Sequence, residues 1–66
     1  MKYFIYGRGF HNGYMCRREN GKRLWGAKSP EIFTSLLDVK NVVNEIPTYI
    51  MFVVYDENHN IIYENL

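Results

Sequence analysis

The sequence predicts an α+β fold with the element order β-β-β-α-β-β, in which one helix packs across one face of an antiparallel sheet. Three observations lead to this prediction. Aromatic and β-branched residues surround two Asn-Gly turns in the first half of the chain. Apolar residues then recur at helical spacing over residues 29–46, and a continuous apolar run follows at residues 49–55. The 66 residues suffice for one small core, so we expect a single domain over residues 1–66.

The first three strands are predicted from composition and from two turn signals. Residues 2–6 (KYFIY) are aromatic and β-branched, which favours an extended strand. The Asn-Gly pairs at 12–13 and 20–21 are typical of type I′ hairpin turns. The second pair predicts strands over residues 14–19 and 22–27.

A two-residue turn at 20–21 also sets the register of this hairpin. Arg18 then faces Arg23, and Cys16 faces Trp25. The face predicted to lie against the core carries Tyr14, Cys16, Trp25 and Ala27. Like charges directly opposite each other destabilise a sheet, so the Arg18–Arg23 pair suggests a functional role or a neighbour that the sequence does not show.

The segment at residues 29–46 is predicted to form the helix. Ser29 suits the N-cap, Pro30 suits the first helical position, and Pro47 disfavours the helical conformation of the residue before it. Five apolar residues spaced by three or four form a stripe toward the sheet: Ile32, Leu36, Val39, Val43 and Ile46. Phe33 and Leu37 lie off this stripe. They form either an exposed contact ridge or an extension of a large core, and the sequence favours neither interpretation.

The last part of the chain is predicted to form a hairpin. Residues 49–55 are apolar without interruption, which is typical of a central strand covered on both faces. Residues 56–60 form a polar turn, and residues 61–63 return as a shorter strand. Residues 64–66 are expected to fray.

Cysteine usage and hydropathy indicate the compartment. Cys16 is the single cysteine of the sequence, which excludes an intrachain disulfide and fits a reducing cytoplasm. The longest apolar run has seven residues, whereas a membrane-spanning helix needs about 20. We therefore expect a cytoplasmic protein without membrane contact. Its six Tyr, four Phe and one Trp serve either a dense core or an interface, so homodimerisation stays open.

No motif predicts a reaction. Cys16, His11 and His59 are the candidates for a nucleophile and its base, and their spacing matches neither a nucleophilic site nor a zinc site. Residues 56–60 begin like a calcium loop but lack its later glycine and glutamate. We predict no catalytic residue, no cofactor and no metal, and hence no enzyme.

The charges are divided along the chain. Residues 1–28 contain seven Lys or Arg against one Glu, and residues 29–66 contain one Lys against six Asp or Glu. We predict two charged partner-binding sites, a basic hairpin of Arg17, Arg18, Lys22 and Arg23 and an acidic turn of Asp56 and Glu57. The equally weighted alternative is that the two halves neutralise each other within the fold or across a dimer.

Several features occur together: a first strand of Tyr and aliphatic residues, a Ser-capped helix, and Gly13, Tyr14, Trp25, Ala27 and Phe33. This combination, over roughly residues 3–46, resembles short phage and mobile-element proteins built from a small antiparallel sheet and one helix. The resemblance implies no active site. It implies a phage-encoded host-defence antagonist that acts in the host cytoplasm and inhibits a host protein, for example a defence nuclease complex.

We therefore expect a small non-enzymatic interaction protein. Its partner would be a host protein or a protein–nucleic-acid complex, bound through the basic hairpin, the acidic turn or the helix ridge of Phe33 and Leu37. The alternative is a small nucleic-acid-binding protein whose basic hairpin neutralises phosphates.

Overall fold

The computed structural model describes residues 1–9, 13–17 and 20–65. Five strands in these ranges form one antiparallel sheet in the order β3-β2-β1-β4-β5. The elements are β1 (Tyr3–Gly7), β2 (Gly13–Arg17), β3 (Arg23–Ala27), α1 (Leu36–Glu45), β4 (Phe52–Asp56) and β5 (Ile61–Glu64). This architecture confirms the predicted α+β fold and its element order. Within the described ranges, no helix combines the length and the apolar character that a bilayer crossing requires.

The core lies between α1 and one face of the sheet. On the central strands, Ile5 of β1 stands opposite Val54 of β4, and both side chains are completely buried. Side chains alternate along β1, so Tyr3 and Ile5 point toward the helix while Phe4 and Tyr6 point to the other face. The buried cluster on the helix side comprises Tyr3, Ile5, Met15, Phe33, Val39, Val42, Phe52 and Val54.

The helix begins later than the sequence predicts. Its N-cap is Ser35, whose hydroxyl accepts a hydrogen bond from the backbone N–H of Leu37 at 3.2 Å. The residues before this cap are extended, because Phe33 and Tyr3 exchange two backbone hydrogen bonds of 2.7 and 3.0 Å. The prediction of a helix over residues 29–46 is therefore wrong at its N-terminal end.

The extended segment fills a gap between two strands. The described pairs between β1 and β2 are Tyr6–Tyr14 and Gly7–Gly13. Beyond these pairs, residues 31–33 bond to both strands, since the Glu31 N–H donates to the Met15 carbonyl at 2.9 Å and Phe33 pairs with Tyr3. These bonds satisfy backbone groups at the edge of the core. Sheet hydrogen bonding therefore overrides the capping signal at Ser29.

The buried side of α1 also differs from the predicted stripe. Its buried residues are Val39 and Val42, with Val43 and Ile46 packed at the margin of the core. Leu36 is 47% exposed, and Ile32, which precedes the helix, is 53% exposed. Because Phe33 enters the core from the extended segment, the helix meets the sheet through residues further along the chain.

A bulge changes the register of the β2–β3 hairpin. The observed pairs are Tyr14–Ala27 near its base, and Cys16–Leu24 and Arg17–Arg23 near its turn. The predicted pairing of Cys16 with Trp25 and of Arg18 with Arg23 is therefore wrong by one residue, and Arg18 itself lies outside the described residues. A slip of one residue exchanges the faces of a strand.

The core face of the hairpin also differs from the prediction, because Tyr14 pairs with Tyr6 of β1 and so lies on the face away from the helix. Met15 and Trp25 lie on the helix side, where Met15 is buried and Trp25 packs against the core cluster. Tyr14, Cys16 and Ala27 lie on the opposite face. The predicted core face is thus correct at Trp25 alone.

The C-terminal end of the sheet is held by one side chain. The Asn65 amide oxygen accepts from the Phe52 N–H at 2.7 Å, and the amide nitrogen donates to the Ile50 carbonyl at 2.8 Å. The backbone N–H of Asn65 also donates to the Phe52 carbonyl at 3.3 Å. The expectation that residues 64–66 fray is therefore wrong at Glu64 and Asn65, because β5 extends through Glu64 and Asn65 anchors it, and Leu66 lies outside the described residues.

Candidate interaction surfaces

Arg23 does not extend freely from the hairpin. Its Nε and Nη2 atoms donate to the two Glu31 carboxylate oxygens at 3.1 and 3.3 Å, and its guanidinium carbon lies 6.0 Å from the centre of the Phe33 ring. The two charged side chains are only 21% and 17% exposed. Arg23 is committed to contacts within the chain, so its assignment to the partner-binding cluster is corrected to a structural one.

Lys22 is the second predicted hairpin cation whose side chain lies within the described residues. Lys22 is exposed, and its backbone N–H donates to the Asn20 side-chain oxygen at 3.0 Å. Arg18 and the side chain of Arg17 lie outside the described part of the chain. The structure therefore places one cation, Lys22, at the described surface of this turn.

Among the residues that the structure describes, two ion pairs join the basic half of the chain to the acidic half. One is Arg23–Glu31, and the other is Arg8–Glu64, whose charged atoms lie 4.0 Å apart with both side chains more than a third exposed. Neutralisation within the fold, the alternative to a charged binding site, thus operates at these two positions.

The acidic turn is built around a buried carboxylate. Asp56 is 4% exposed, and its Oδ1 accepts from the backbone N–H groups of Asn58 and Asn60, each at 2.9 Å. Its Oδ2 accepts from the Asn60 amide at 3.1 Å. The Asn60 backbone hydrogen bond is the main cause that lowers the pKa of Asp56, against the opposing effect of burial. Asp56 therefore holds the β4–β5 turn, and its prediction as a partner contact is wrong.

Glu57, the other residue predicted in this acidic site, is exposed. Its Oε1 accepts a hydrogen bond from the Lys2 backbone N–H at 3.1 Å. It remains the accessible carboxylate of the turn.

The predicted helix ridge is divided by the fold. Phe33 is 5% exposed and belongs to the core, so its prediction as an exposed contact is wrong. Leu37 is 66% exposed on the outer side of α1, which corresponds to the first of the two interpretations that the sequence left open. The two side chains therefore do not form one surface.

A different apolar surface lies between α1 and β5. A helix is about 10 Å wide, whereas five strands span about 24 Å. The extended segment with Phe33 covers part of the remaining sheet on the β1–β2 side, and β5 stays uncovered, with all four of its residues exposed. The result is a groove of about 440 Å³ lined by Leu36, Val39, Lys40, Val43, Asn44, Val54, Ile62 and Tyr63. We call it the α1–β5 groove.

Large exposed apolar side chains form the walls of this groove. Leu36 stands on the helix side, and Ile62 and Tyr63 stand on the strand side with 43% and 50% exposure. The Tyr63 ring also packs on Phe52, with 5.8 Å between the ring centres. Sequence reasoning missed this surface because the width left uncovered by one helix follows from the strand order.

The second surface is the sheet face opposite the helix, which we call the open face. No helix or strand of the described ranges packs on it. Its strand residues are Phe4, Tyr6, Tyr14, Cys16, Leu24, Ala27, Val53, Tyr55, Ile61 and Glu64, as follows from their pairing and from strand alternation. An exposed sheet face ordinarily carries polar residues, and this one carries mainly aromatic and aliphatic residues. The period-two pattern of Phe4 and Tyr6 was the signal in the sequence that could have found it.

The residues considered for catalysis are not brought together. Cys16 is half-buried opposite Leu24, the His59 ring lies 6.4 Å from that of Tyr55, and His11 falls outside the described residues. Over the described ranges, no three His, Cys, Asp or Glu side chains are grouped so that they could hold a metal ion.

Comparison of the chain with models of protein families, with characterised proteins and with solved structures gives no match.

Proposed function

We propose that the chain is a small non-enzymatic interaction protein that binds a partner protein through the α1–β5 groove. The observation that carries this proposal is the exposure of Leu36, Ile62 and Tyr63 around one apolar depression. Single exposed apolar residues are ordinary on a protein surface, whereas a contiguous group marks a contact site.

The groove also offers hydrogen-bonding groups of the kind found at protein interfaces. β5 is an edge strand, and an apolar edge strand can pair with an extended segment of another protein. Lys40 and Asn44 of the helix lie at the groove and supply polar contacts beside its apolar floor. An extended apolar segment of a partner fits both features.

Inhibition of a host protein is the specific form of this function that the sequence resemblance implies. In that form the chain is phage-encoded, acts in the host cytoplasm, and places the groove against a host protein such as a subunit of a defence nuclease complex. A second copy of the chain is the competing occupant.

The test is capture of partners from a bacterial lysate with matched pairs of charge-introducing variants. Leu36→Lys changes a groove residue, and Leu37→Lys makes the same change one residue away on the outer side of α1. Tyr63→Lys and the control Tyr49→Lys form a second pair, since Tyr49 is 78% exposed and does not line the groove. We expect a stoichiometric partner that is lost with the groove variants and kept with the controls.

Three results would contradict the proposal. They are the absence of any stoichiometric partner, equal capture by all four variants, and loss of capture with Leu37→Lys alone, which would move the site to the outer side of α1. Solution mass measured in parallel identifies a second copy as the occupant, because the groove variants would then convert a dimer to a monomer.

A further inference from the structure

The open face contains a group of aromatic residues on its central strands. Phe4 and Tyr6 of β1 stand opposite Tyr55 of β4 and Tyr14 of β2 respectively. All four side chains are half-buried, and the rings of Tyr6 and Tyr14 meet edge to face with 5.2 Å between their centres. Val53, between Tyr6 and β5, is completely buried. On the central strands, the rings are therefore the part of this face that a ligand would meet.

Cations stand at both ends of the same strand. Lys2 and Arg8 continue the alternation of Phe4 and Tyr6, so the order along the open face is cation, aromatic, aromatic, cation. Lys2 is exposed, and the Arg8 guanidinium reaches Glu64 of the same face at 4.0 Å. An exposed ion pair of this length contributes little and can exchange for another anion.

The remaining charges separate by face. Arg23 is bound to Glu31 on the helix side, where Asp38 and Glu45 are also exposed beside the same polar groove. Asp56 is sequestered in its turn. The helix side therefore holds Glu31, Asp38 and Glu45. The cations at the ends of β1 border the aromatic rings, with Glu57 beside Lys2 and Glu64 beside Arg8.

We propose that the open face binds single-stranded nucleic acid, with bases stacked on Phe4 and Tyr6 and phosphates held by Lys2 and Arg8. Aromatic rings on a sheet bind unpaired bases by stacking, and Lys and Arg at the margin of such a platform neutralise the backbone. The two rings, two residues apart on one strand, stand about 7 Å from each other, so each can take its own base.

Charge complementarity favours this occupant over a second copy of the chain. If two open faces stacked about a two-fold axis, the cations at the ends of one β1 would lie over the cations at the ends of the other. This holds for parallel and for antiparallel strand alignment, because each end of β1 carries a cation, with Glu57 beside Lys2 and Glu64 beside Arg8. An anionic strand removes that repulsion.

The test is fluorescence anisotropy with two labelled 12-nucleotide strands of mixed sequence, one DNA and one RNA, titrated with the full chain over a range of salt concentrations. Saturable binding of either strand that weakens with salt supports the proposal, and the two arms distinguish DNA from RNA. Lys2→Gln and Arg8→Gln together should weaken binding and reduce the slope of log K against log salt by about 1.4. Phe4→Leu and Tyr6→Leu, which keep an apolar group, should each weaken binding about 5-fold to 100-fold.

Matched cation variants locate the site. Lys40→Gln on the helix side and Lys22→Gln at the hairpin turn remove the same charge from other surfaces. We expect both to bind as the wild type does. Circular dichroism and thermal unfolding confirm that each variant is folded, and the exposed Lys2 and Arg8 positions keep the test valid if a ring variant unfolds.

The proposal is overturned if neither strand binds at low salt, or if Lys22→Gln reduces binding as much as Lys2→Gln and Arg8→Gln do. It is also overturned if the chain is a dimer that Tyr6→Lys converts to a monomer, since the open face would then be an interface between copies.

Discussion

Arg23 and Glu31 form a bidentate ion pair that ties strand β3 to the extended segment before the helix, with N–O distances of 3.1 and 3.3 Å. The pair lies beside the Phe33 ring and is shielded by it, which keeps the charged groups partly out of water. It therefore stabilises the path that brings Phe33 into the core.

Breaking this pair should destabilise the protein. We expect Glu31→Gln to lower the free energy of unfolding by about 1–2 kcal/mol, because Arg23 would keep its charge in a partly buried place and lose its counterion. Urea unfolding at neutral pH measures the change. The matched variant is Glu64→Gln, which breaks the longer and more exposed Arg8 pair and should cost no more than about 0.5 kcal/mol. Equal losses for the two variants would contradict this difference.

The position of the N-cap gives a second prediction. Ser35→Ala should destabilise the protein by about 1 kcal/mol, because the hydrogen bond from the Leu37 N–H to the Ser35 hydroxyl is lost. Ser29→Ala should change stability by less than about 0.5 kcal/mol, since Ser29 precedes the extended segment. Thermal unfolding of the two variants compares the sites, and a larger loss at Ser29 would return the helix start to the sequence-based prediction.

Asp56 gives the stability a defined dependence on pH. Its pKa is lowered in the folded state, so the folded chain binds this proton more weakly than the unfolded chain, where an Asp has a pKa of about 3.9. The stabilisation is complete above that value and is lost as the pH falls through the folded pKa. We expect Asp56→Asn to be less stable than the wild type at pH 7. As the pH falls from 5 through the folded pKa of Asp56, the variant should lose less stability than the wild type loses.

The control for this pH dependence is the neighbouring carboxylate. Glu57→Gln removes an exposed charge from the same turn and should leave the acid dependence of unfolding close to that of the wild type. Urea unfolding at several pH values compares all three proteins. An Asp56→Asn profile parallel to the wild-type profile would show that this carboxylate does not set the dependence.

The backbones of β2 and β3 approach closely at two glycines. Gly13 has φ of +117°, and a Cβ added there would lie 2.4 Å from the Cα of Gly26. We expect Gly13→Ala to cost about 3 kcal/mol or more, from strain and from overlap with backbone that cannot move aside. Gly21→Ala, at φ +83° with open space around it, should cost about 1–2 kcal/mol from strain alone. Chemical denaturation measures the free energy of unfolding of both variants. Similar losses for Gly13→Ala and Gly21→Ala would argue against the close approach of the β2 and β3 backbones at Gly13.

Local signals in the sequence determined the presence and order of the five strands. The aromatic and β-branched composition of residues 2–6 and the continuous apolar run at 49–55 predicted the two central strands, and these signals are reliable because they depend on each residue and its immediate neighbours. Pro47 marked the end of the helix for the same reason. From these the α+β class and the element order followed.

Tertiary structure decided the helix start and the hairpin register. Ser29 and Ser35 carry the same capping chemistry, and the choice between them was made by hydrogen bonds between Phe33 and Tyr3, which are 30 residues apart in the chain. The register shift of the hairpin likewise depends on pairing between strands, since the pairs Tyr14–Ala27 and Cys16–Leu24 enclose one residue of β2 and two residues of β3. No local pattern contains these long-range contacts.

The candidate surfaces divide in the same way. The sequence by itself determined that cations precede and follow the aromatic pair Phe4 and Tyr6, and it left open whether Leu37 is exposed or buried. Only the folded sheet decided that Phe33 packs in the core, that Arg23 pairs with Glu31 and that Asp56 holds its turn. The fold likewise decided that no described helix or strand covers β5 or the open face. The physical reason is that exposure depends on which elements pack together, and one ten-residue helix covers only part of one face of a five-stranded sheet.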